Sequence, residues 1–316
     1  MTTEISVIIP VFNESGNIAP LAARLEEVLL KMAANWEVIW VDDGSTDGSY
    51  GEIKTVLRPN SSAIRFSRNF GQTAALAAGI AAAKGLWTIT LDADLQNDPL
   101  DIPKMFGRAV EGFDVVSGWR KKRNDSFFMR VLPSAAANAI ISRVTGVRLH
   151  DYGCTLKIYR TNLLKDLDLY GEMHRFLPAI LGYGGASITE MEVSHHPRAA
   201  GRSKYGLMRT FKVLLDLFTV KFMGDFITKP IYLFGGLSFS LGLLSACLAG
   251  YTLYNKIVCH IFVKDQPLFL VAIFLALVGV QMAFLGLLAE LIIRSYHNSA
   301  KKPFYRVKET IDRDPV

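Results

Sequence analysis

The sequence predicts an α/β fold, a mostly parallel sheet flanked by helices, followed by a two-helix hairpin that crosses a membrane. Short β-branched runs alternate with amphipathic stretches from Ile5 to Ser117, which is the pattern of a parallel sheet covered on both faces. Two runs without Asp, Glu, Lys or Arg, Ile231–Tyr254 and Leu268–Ala289, lie nearer the C-terminus. Over 316 residues, hydrophobic side chains make up 50% and charged ones 20%, fewer charges than the roughly 25% of soluble domains. That balance excludes a disordered or fibrous chain.

The elements follow in order. Glu4–Pro10 (EISVIIP) reads as a strand ended by proline, and Ser15–Lys31 carries Ile18, Leu21, Leu25, Val28 and Leu29 at helical spacing. Trp36–Val41 is a second strand, closed by the turn and N-cap cluster DDGSTDGS. Ser62–Phe66 is a third strand, Gly71–Lys84 an Ala-rich helix, and Leu86–Leu91 a fourth strand. Pro99–Glu111 reads as a helix and Phe113–Ser117 as a fifth strand.

At 1.5 Å per residue each uncharged run reaches roughly 33–36 Å, enough for a hydrocarbon layer of about 30 Å. Asn255–Pro267 between them is a short loop, so residues 231–293 form a hairpin with spans of about 231–254 and 268–292. Two helices leave little wall for a transport pore. Lys221 and Lys229 precede the first span, and Arg294, Lys301, Lys302, Arg306 and Lys308 follow the second. The connecting loop holds only Lys256 and Lys264. This bias places residues 1–206 and the basic tail 294–316 in the cytoplasm of a multi-pass inner- or plasma-membrane protein. No signal peptide precedes Ile5. In 207–230, Leu207, Phe211, Leu214, Leu215, Phe218, Phe222 and Phe226 recur at helical spacing among Arg209, Lys212 and Asp216. A core-facing helix has the same spacing, and the adjoining span favours a helix lying in the headgroup plane.

Ligands of such sheets bind at the carboxyl ends of the strands. There the sequence is acidic and polar: PVFNE (Pro10–Glu14), DDGSTD (Asp42–Asp47) and DADLQ (Asp92–Gln96) bring Glu14, Asp42, Asp43, Asp92 and Asp94 toward one rim. Carboxylates crowded this way repel one another unless a cation or a donor-rich ligand sits among them. Neither GxGxxG nor GxxxxGK[ST] follows the first strand, so dinucleotide and P-loop fingerprints are absent. Asp92 and Asp94, two apart at a strand end, can share one direction. Their hard oxygens suit Mg²⁺ or Mn²⁺ bridging the diphosphate of a nucleotide.

PVFNE, VDDGSTDGS, RNFGQTAALAAGI, LDADLQNDP, HDYGC and GRSKYG occur in that order. Together they resemble the GT-A-type polyprenyl-phosphate glycosyltransferases of glycosyltransferase family 2, among them the dolichol-phosphate mannose synthases, bactoprenol glucosyltransferases and undecaprenyl-phosphate aminoarabinose transferases. The resemblance runs from Ile5 to about Arg294, nearly the whole chain. It implies transfer of one sugar from a nucleotide diphosphate-sugar, UDP-linked by analogy with bacterial members, to undecaprenyl or another polyprenyl phosphate for cell-envelope glycans. It further implies a homo-oligomer, a tetramer in relatives.

By that resemblance Pro10, Val11, Asn13 and Glu14 cradle the base and ribose, with Asp42 or Asp43 on the base edge or ribose hydroxyls. Asp43, Ser45 and Thr46 also suit capping of the following helix. Asp92 and Asp94 hold the metal, Gln96 reaches the diphosphate or metal shell, and Arg68 and Asn69 shape the donor pocket. Arg130 and Ser134 bind the acceptor phosphate, aided by Arg120 in a basic run (Arg120–Arg123) that also suits anionic lipid. Arg198 and Lys204 of the loop HHPRAAGRSKYG neutralise charge on the leaving diphosphate, while Arg202 stands where relatives often carry an acid. His195 and His196 lack metal-ligand spacing and read as structural. Asp151 occupies the place of a catalytic carboxylate, as a positioning group, a weak base or a turn cap; Cys154 reads as a packed thiol.

Other readings are a polysaccharide synthase and a non-catalytic lipid-linked-sugar transport subunit. No Gln begins the QxxRW element that synthases need, and DADLQ beside DYG speaks against an inactive subunit. The formal charge of +6 clusters by the spans, which disfavours nucleic acid as a partner. Three scattered cysteines exclude a disulfide framework.

Overall fold

The computed structural model describes residues 3–121, 138, 141–143, 145–169, 171, 173–197, 230–297 and 307–312. Eight strands form one sheet in the order β7-β5-β6-β4-β1-β2-β3-β8: β1 (Ile5–Val11), β2 (Trp36–Asp42), β3 (Ser61–Phe66), β4 (Trp87–Thr90), β5 (Val115–Trp119), β6 (Lys157–Arg160), β7 (Ile188–Glu192) and β8 (Val307–Asp312). Strands β3, β2, β1 and β4 run parallel to one another, as alternating helices require. Strand β6 enters antiparallel between β4 and β5, and β8 closes the opposite edge antiparallel to β3. This is the GT-A type of architecture expected from the sequence, with three strands that expectation did not contain.

The central strand β1 is buried on both faces and divides the core. Ile5, Val7, Ile9 and Val11 join Leu21, Leu25 and Leu29 of α1 (Ile18–Leu30) and Met105 of α4 (Ile102–Val110) on one side. Ile8 joins Ala74, Ala75, Ala78 and Ile80 of α3 (Gln72–Ala82) on the other. The Ala-rich sequence of α3 has a steric reason: a Cβ at Gly79 would sit 2.3 Å from Ile8 Cγ2, so the helix lies directly on the strand. Helix α2 (Ser49–Val56) follows DDGSTD, while α5 (Thr161–Lys165) and α6 (Leu177–Tyr183) cover the far half.

The chain divides into two compact units, Met1–Val220 with Pro303–Val316, and Lys221–Lys302. In the second, α7 (Pro230–Val258) and α8 (Pro267–His297) form the hairpin. Tyr232–Val258 and Pro267–Ala289 are long and apolar enough to cross a membrane and are only 6% and 11% buried. Helices this apolar and this exposed suit lipid as solvent. Ser245 Oγ donates to the Ala272 carbonyl across the pair at 2.7 Å. The interfacial helices expected at 207–229 lie outside the described residues. Part of the segment read as a basic tail is strand β8, whose Glu309 and Ile311 are half-buried and whose Lys308 and Thr310 are exposed.

Candidate active site

Parallel β1, β2 and β4 deliver all three acidic motifs to one edge of the sheet, because Val11 lies level with Asp42, and Ile8 with Thr90. After β1 the chain turns through Asn13, held in the left-handed region at φ 55°, a conformation that Asn tolerates better than most residues. The Asn13 N–H donates to Ser45 Oγ at 3.0 Å, and its side-chain oxygen accepts from the Thr46 N–H at 2.9 Å. Glu14 donates its N–H to Ser49 Oγ and accepts from Asn17 Nδ2. The first two motifs are thus laced into one surface, with Asn13 and Thr46 exposed on it and Glu14 half-buried. Gly44 completes the lacing: at φ +70°, a Cβ there would lie 2.3 Å from the Arg68 carbonyl carbon.

Asp42 and Asp43 are buried beneath that surface. Asp43 accepts from Asn69 Nδ2 at 2.8 Å and from the N–H groups of Phe70 and Gly71 at 2.7 and 2.9 Å. Burial pushes its carboxyl above the usual range, and those two N–H bonds oppose the shift. It thereby anchors the turn that starts α3, and Asn69 is placed as its partner. Asp42 Oδ1 accepts from the Ser45 N–H at 3.2 Å. Its other oxygen makes no hydrogen bond and faces Arg65 Nε at 3.4 Å.

In DADLQ, Asp92 is half-buried and Asp94 buried. Gln72 Nε2 donates to Asp92 Oδ1 at 2.7 Å, and the Gln96 N–H to Asp94 Oδ1 at 3.2 Å. Leu95, between the latter two, sits at φ 61°, strain of a kind that clusters at functional turns. Burial, then the Asp94 charge, pushes the Asp92 carboxyl far above the usual carboxylate range; Glu14 adds to the rise, and Thr155 and Arg120 oppose it. Two carboxylates whose repulsion the protein leaves in place fit a divalent cation. The described residues contain no group of three His, Cys, Asp or Glu that could hold a metal.

Arg120, at the end of β5, forms a two-pronged pair with Asp151, Nε to Oδ2 at 2.7 Å and Nη2 to Oδ1 at 3.0 Å. Asp151 also accepts from the Gly153 N–H at 3.1 Å and is 1% exposed. The structure thus sets Arg120 beside Asp151 and within electrostatic reach of Asp92. Cys154 is buried, and burial pushes its thiol up to about 11, which makes it an inert packed group. His196 bonds Asp98 at 2.9 Å, and its N–H donates to the Gln96 carbonyl, so the His195–His196 segment is fastened just beyond DADLQ. Arg130, Ser134, Arg198 and Lys204 lie outside the described residues.

Sequence reading missed two groups. Gln72 orients Asp92, as shown above. Lys157 is 3% exposed in β6, where its Nζ donates to the Tyr152 carbonyl at 3.0 Å. Burial pulls its ammonium down to about 8, against the nearby Cys154 and Asp151 charges. A lysine inside the apolar run TLKIY was the available signal.

A transferase that binds its donor at the carboxyl edge of a GT-A sheet is the class this arrangement defines. The chain belongs to glycosyl transferase family 2, whose model matches residues 6–168. It is 43% identical over 98% of its length to dodecaprenyl-phosphate galacturonate synthase of Rhizobium johnstonii, covering 93% of that protein. It is 35% identical over 97% of its length to undecaprenyl-phosphate 4-deoxy-4-formamido-L-arabinose transferase of Aeromonas hydrophila, covering 94% of that protein. Among solved structures, glucosyl-3-phosphoglycerate synthase from Mycobacterium tuberculosis with Mn²⁺ and UDP-glucose superposes with a TM-score of 0.54. That match covers 70% of this chain and 79% of the other at 17% identity, a likeness of fold.

Removing one member of a buried charge pair strands the other, at a cost of about 3–5 kcal/mol. Arg120→Met is therefore expected to lower the thermal midpoint well below that of Arg120→Met/Asp151→Asn, measured by circular dichroism in detergent. Equal midpoints would mean the pair carries no such coupling.

Proposed function

We propose that the protein moves one sugar from a nucleotide diphosphate-sugar, UDP-linked, to a polyprenyl phosphate at the cytoplasmic face of the inner membrane, with inversion at the anomeric carbon. The observation that carries this reading is the Asp92–Asp94 pair at the carboxyl edge of the sheet, in a chain that also contains a two-helix apolar hairpin. The two relatives, both named for polyprenyl-phosphate products or acceptors, support the acceptor class.

In this reading, Pro10, Val11, Asn13 and Glu14 form the nucleoside end of the site. Asp42 and Asp43 act from beneath by holding Ser45 and the Asn69–Gly71 turn. Asp92 and Asp94 hold Mg²⁺ or Mn²⁺, which when bound offsets charge on the departing diphosphate. Gln96 lies beside them, and Arg198 and Lys204 add positive charge to that end. An oxygen of the acceptor phosphate, held by Arg130 and Ser134, attacks the anomeric carbon, and the bond to the nucleoside diphosphate breaks. That nucleophile, with a second pKa of about 6, is already largely ionised near neutrality. A strong base is unnecessary, which suits an Asp151 whose oxygens are taken up by Arg120 and Gly153. Asp151 is then a positioning group that fixes Arg120 near the acceptor side.

Connectivity supports the topology of this reading. Strand β8 lies in the same sheet as β1–β7, which agrees with an even number of crossings, and the positive flanks favour the cytoplasm for both ends of the hairpin.

Three outcomes test the reading. Purified protein with Mn²⁺ and UDP-sugar should release UDP only when polyprenyl phosphate is added, and Asp94→Ala should abolish release while circular dichroism is unchanged. Arg130→Ala should raise the KM for the lipid phosphate about tenfold or more and that for the nucleotide sugar little; equal effects would remove its acceptor role. Cys259, exposed between the two spans, should react with an impermeant maleimide on intact spheroplasts, whereas a cysteine placed at Lys308 should react only after lysis.

A further inference from the structure

One row of residues runs across four strands at the carboxyl edge. Val11 is level with Asp42, Asp42 with Arg65, and Arg65 with Glu309. Residues in register on neighbouring strands share a face, so three side chains of alternating charge stand side by side. The last comes from β8, the strand the chain adds after its hairpin.

The contacts within the row are specific. Arg65 Nε stands 3.4 Å from Asp42 Oδ2, the buried oxygen without a hydrogen bond. The Arg65 guanidinium lies over the Tyr50 ring, 4.4 Å from its centre, and Lys54 Nζ lies 4.7 Å from the same centre. Lys54 Nζ is 3.4 Å from Glu309. The Tyr50 hydroxyl is buried without a hydrogen bond, and its proximity, with Lys54, holds the Glu309 carboxyl below the usual range. Burial, then Glu309, pushes the Tyr50 hydroxyl up to about 12. From Asp42 the path continues to the Ser45 N–H at 3.2 Å, and from Ser45 Oγ to the Asn13 N–H at 3.0 Å. Asn13 is exposed at the start of the site.

We propose that the C-terminal strand is a working part of the donor site: Glu309 and Arg65 are positioning residues that set Asp42, and through Ser45 the Asn13 turn, for the nucleoside of the donor. The physical need is clear. Asp42 carries a buried oxygen without a hydrogen bond, and Arg65 is the cation paired with it. A guanidinium on a long side chain swings freely unless stacked and flanked. Tyr50 supplies the stack, and Glu309 with Lys54 frames the open side. Without β8 the edge of β3 would be bare and Arg65 would lose that frame. The inference rests on the glycosyltransferase reading and deepens it by assigning the nucleoside end to a strand far from it in sequence.

The test uses the full chain in detergent with Mn²⁺, and UDP and GDP as probes, by calorimetry without any lipid acceptor. Glu309→Ala and Arg65→Lys should weaken binding of the preferred nucleotide about three- to tenfold. They should raise the KM for the nucleotide sugar in proportion, and leave kcat and the KM for polyprenyl phosphate within about twofold. Glu309→Gln, which keeps the contact to Tyr50 without the charge, should fall between wild type and Glu309→Ala. Lys308→Ala, exposed on the same strand, should match wild type. A lowered thermal midpoint with unchanged nucleotide affinity in Glu309→Ala and Arg65→Lys would overturn the proposal and leave β8 as edge cover alone. Should wild type bind nucleotide but never transfer to polyprenyl phosphate, the acceptor reading fails while this inference stands. Should wild type bind neither UDP nor GDP, both fail.

Discussion

Repulsion between Asp92 and Asp94 is the constraint around which the rest of the site is arranged. Burial, and then the Asp94 charge two positions away, raises the proton affinity of Asp92 at the end of a buried strand. A stability-driven sequence would remove one of them. This chain instead surrounds the pair with restrained counterweights: Gln72 donates one hydrogen bond to Asp92, and Arg120 stands near but is committed to Asp151. A cation arriving with an anionic ligand would offset that charge.

The parallel sheet makes that arrangement possible. Parallel strands point their carboxyl ends one way, so three loops far apart in sequence meet at one edge. The loops are then tied to one another by side chains of their own turn residues. Asn13 joins Ser45 and Thr46, Glu14 joins Ser49, and Asp43 joins Asn69 to Gly71. Residues that look like ligand groups in the sequence thus spend much of their bonding capacity on the protein. Asn13 and Thr46 remain exposed on that surface, while Asp42 and Asp43 are buried beneath it.

Much of this was legible in the sequence, and the gaps have physical causes. Strands β1 to β4 and helices α1 and α3 were visible because apolar periodicity and turn residues agree there. Their observed ends, such as Ile18–Leu30 against an expected Ser15–Lys31, were trimmed by loop residues that bond elsewhere. Strand β7 (ITEME) was invisible because its pattern is polar and half-buried. Strand β8 (VKETID) carries alternating charges suited to an edge, and in sequence those read as a solvated tail. The DADLQ pair was recognised from its spacing. The burial of Asp42 and Asp43 was not, since a DD pair after a strand looks the same whether its oxygens face solvent or neighbouring N–H groups. Lys157 and the Arg65–Glu309 row depend on pairings between distant strands, which no local pattern encodes.

The return of the chain to its own sheet changes what a membrane hairpin does for a transferase of this kind. A domain fastened to lipid at one end samples every orientation that its linker allows. Here the polypeptide leaves toward α7 and comes back from α8 as strand β8, so the hairpin is connected at both ends to one sheet. A doubly connected anchor constrains a domain at two points of its chain rather than one. Glu309 of that strand lies level with Arg65, and Arg65 with Asp42. The chain thus joins the sheet to the hairpin on both sides, after β7 and before β8.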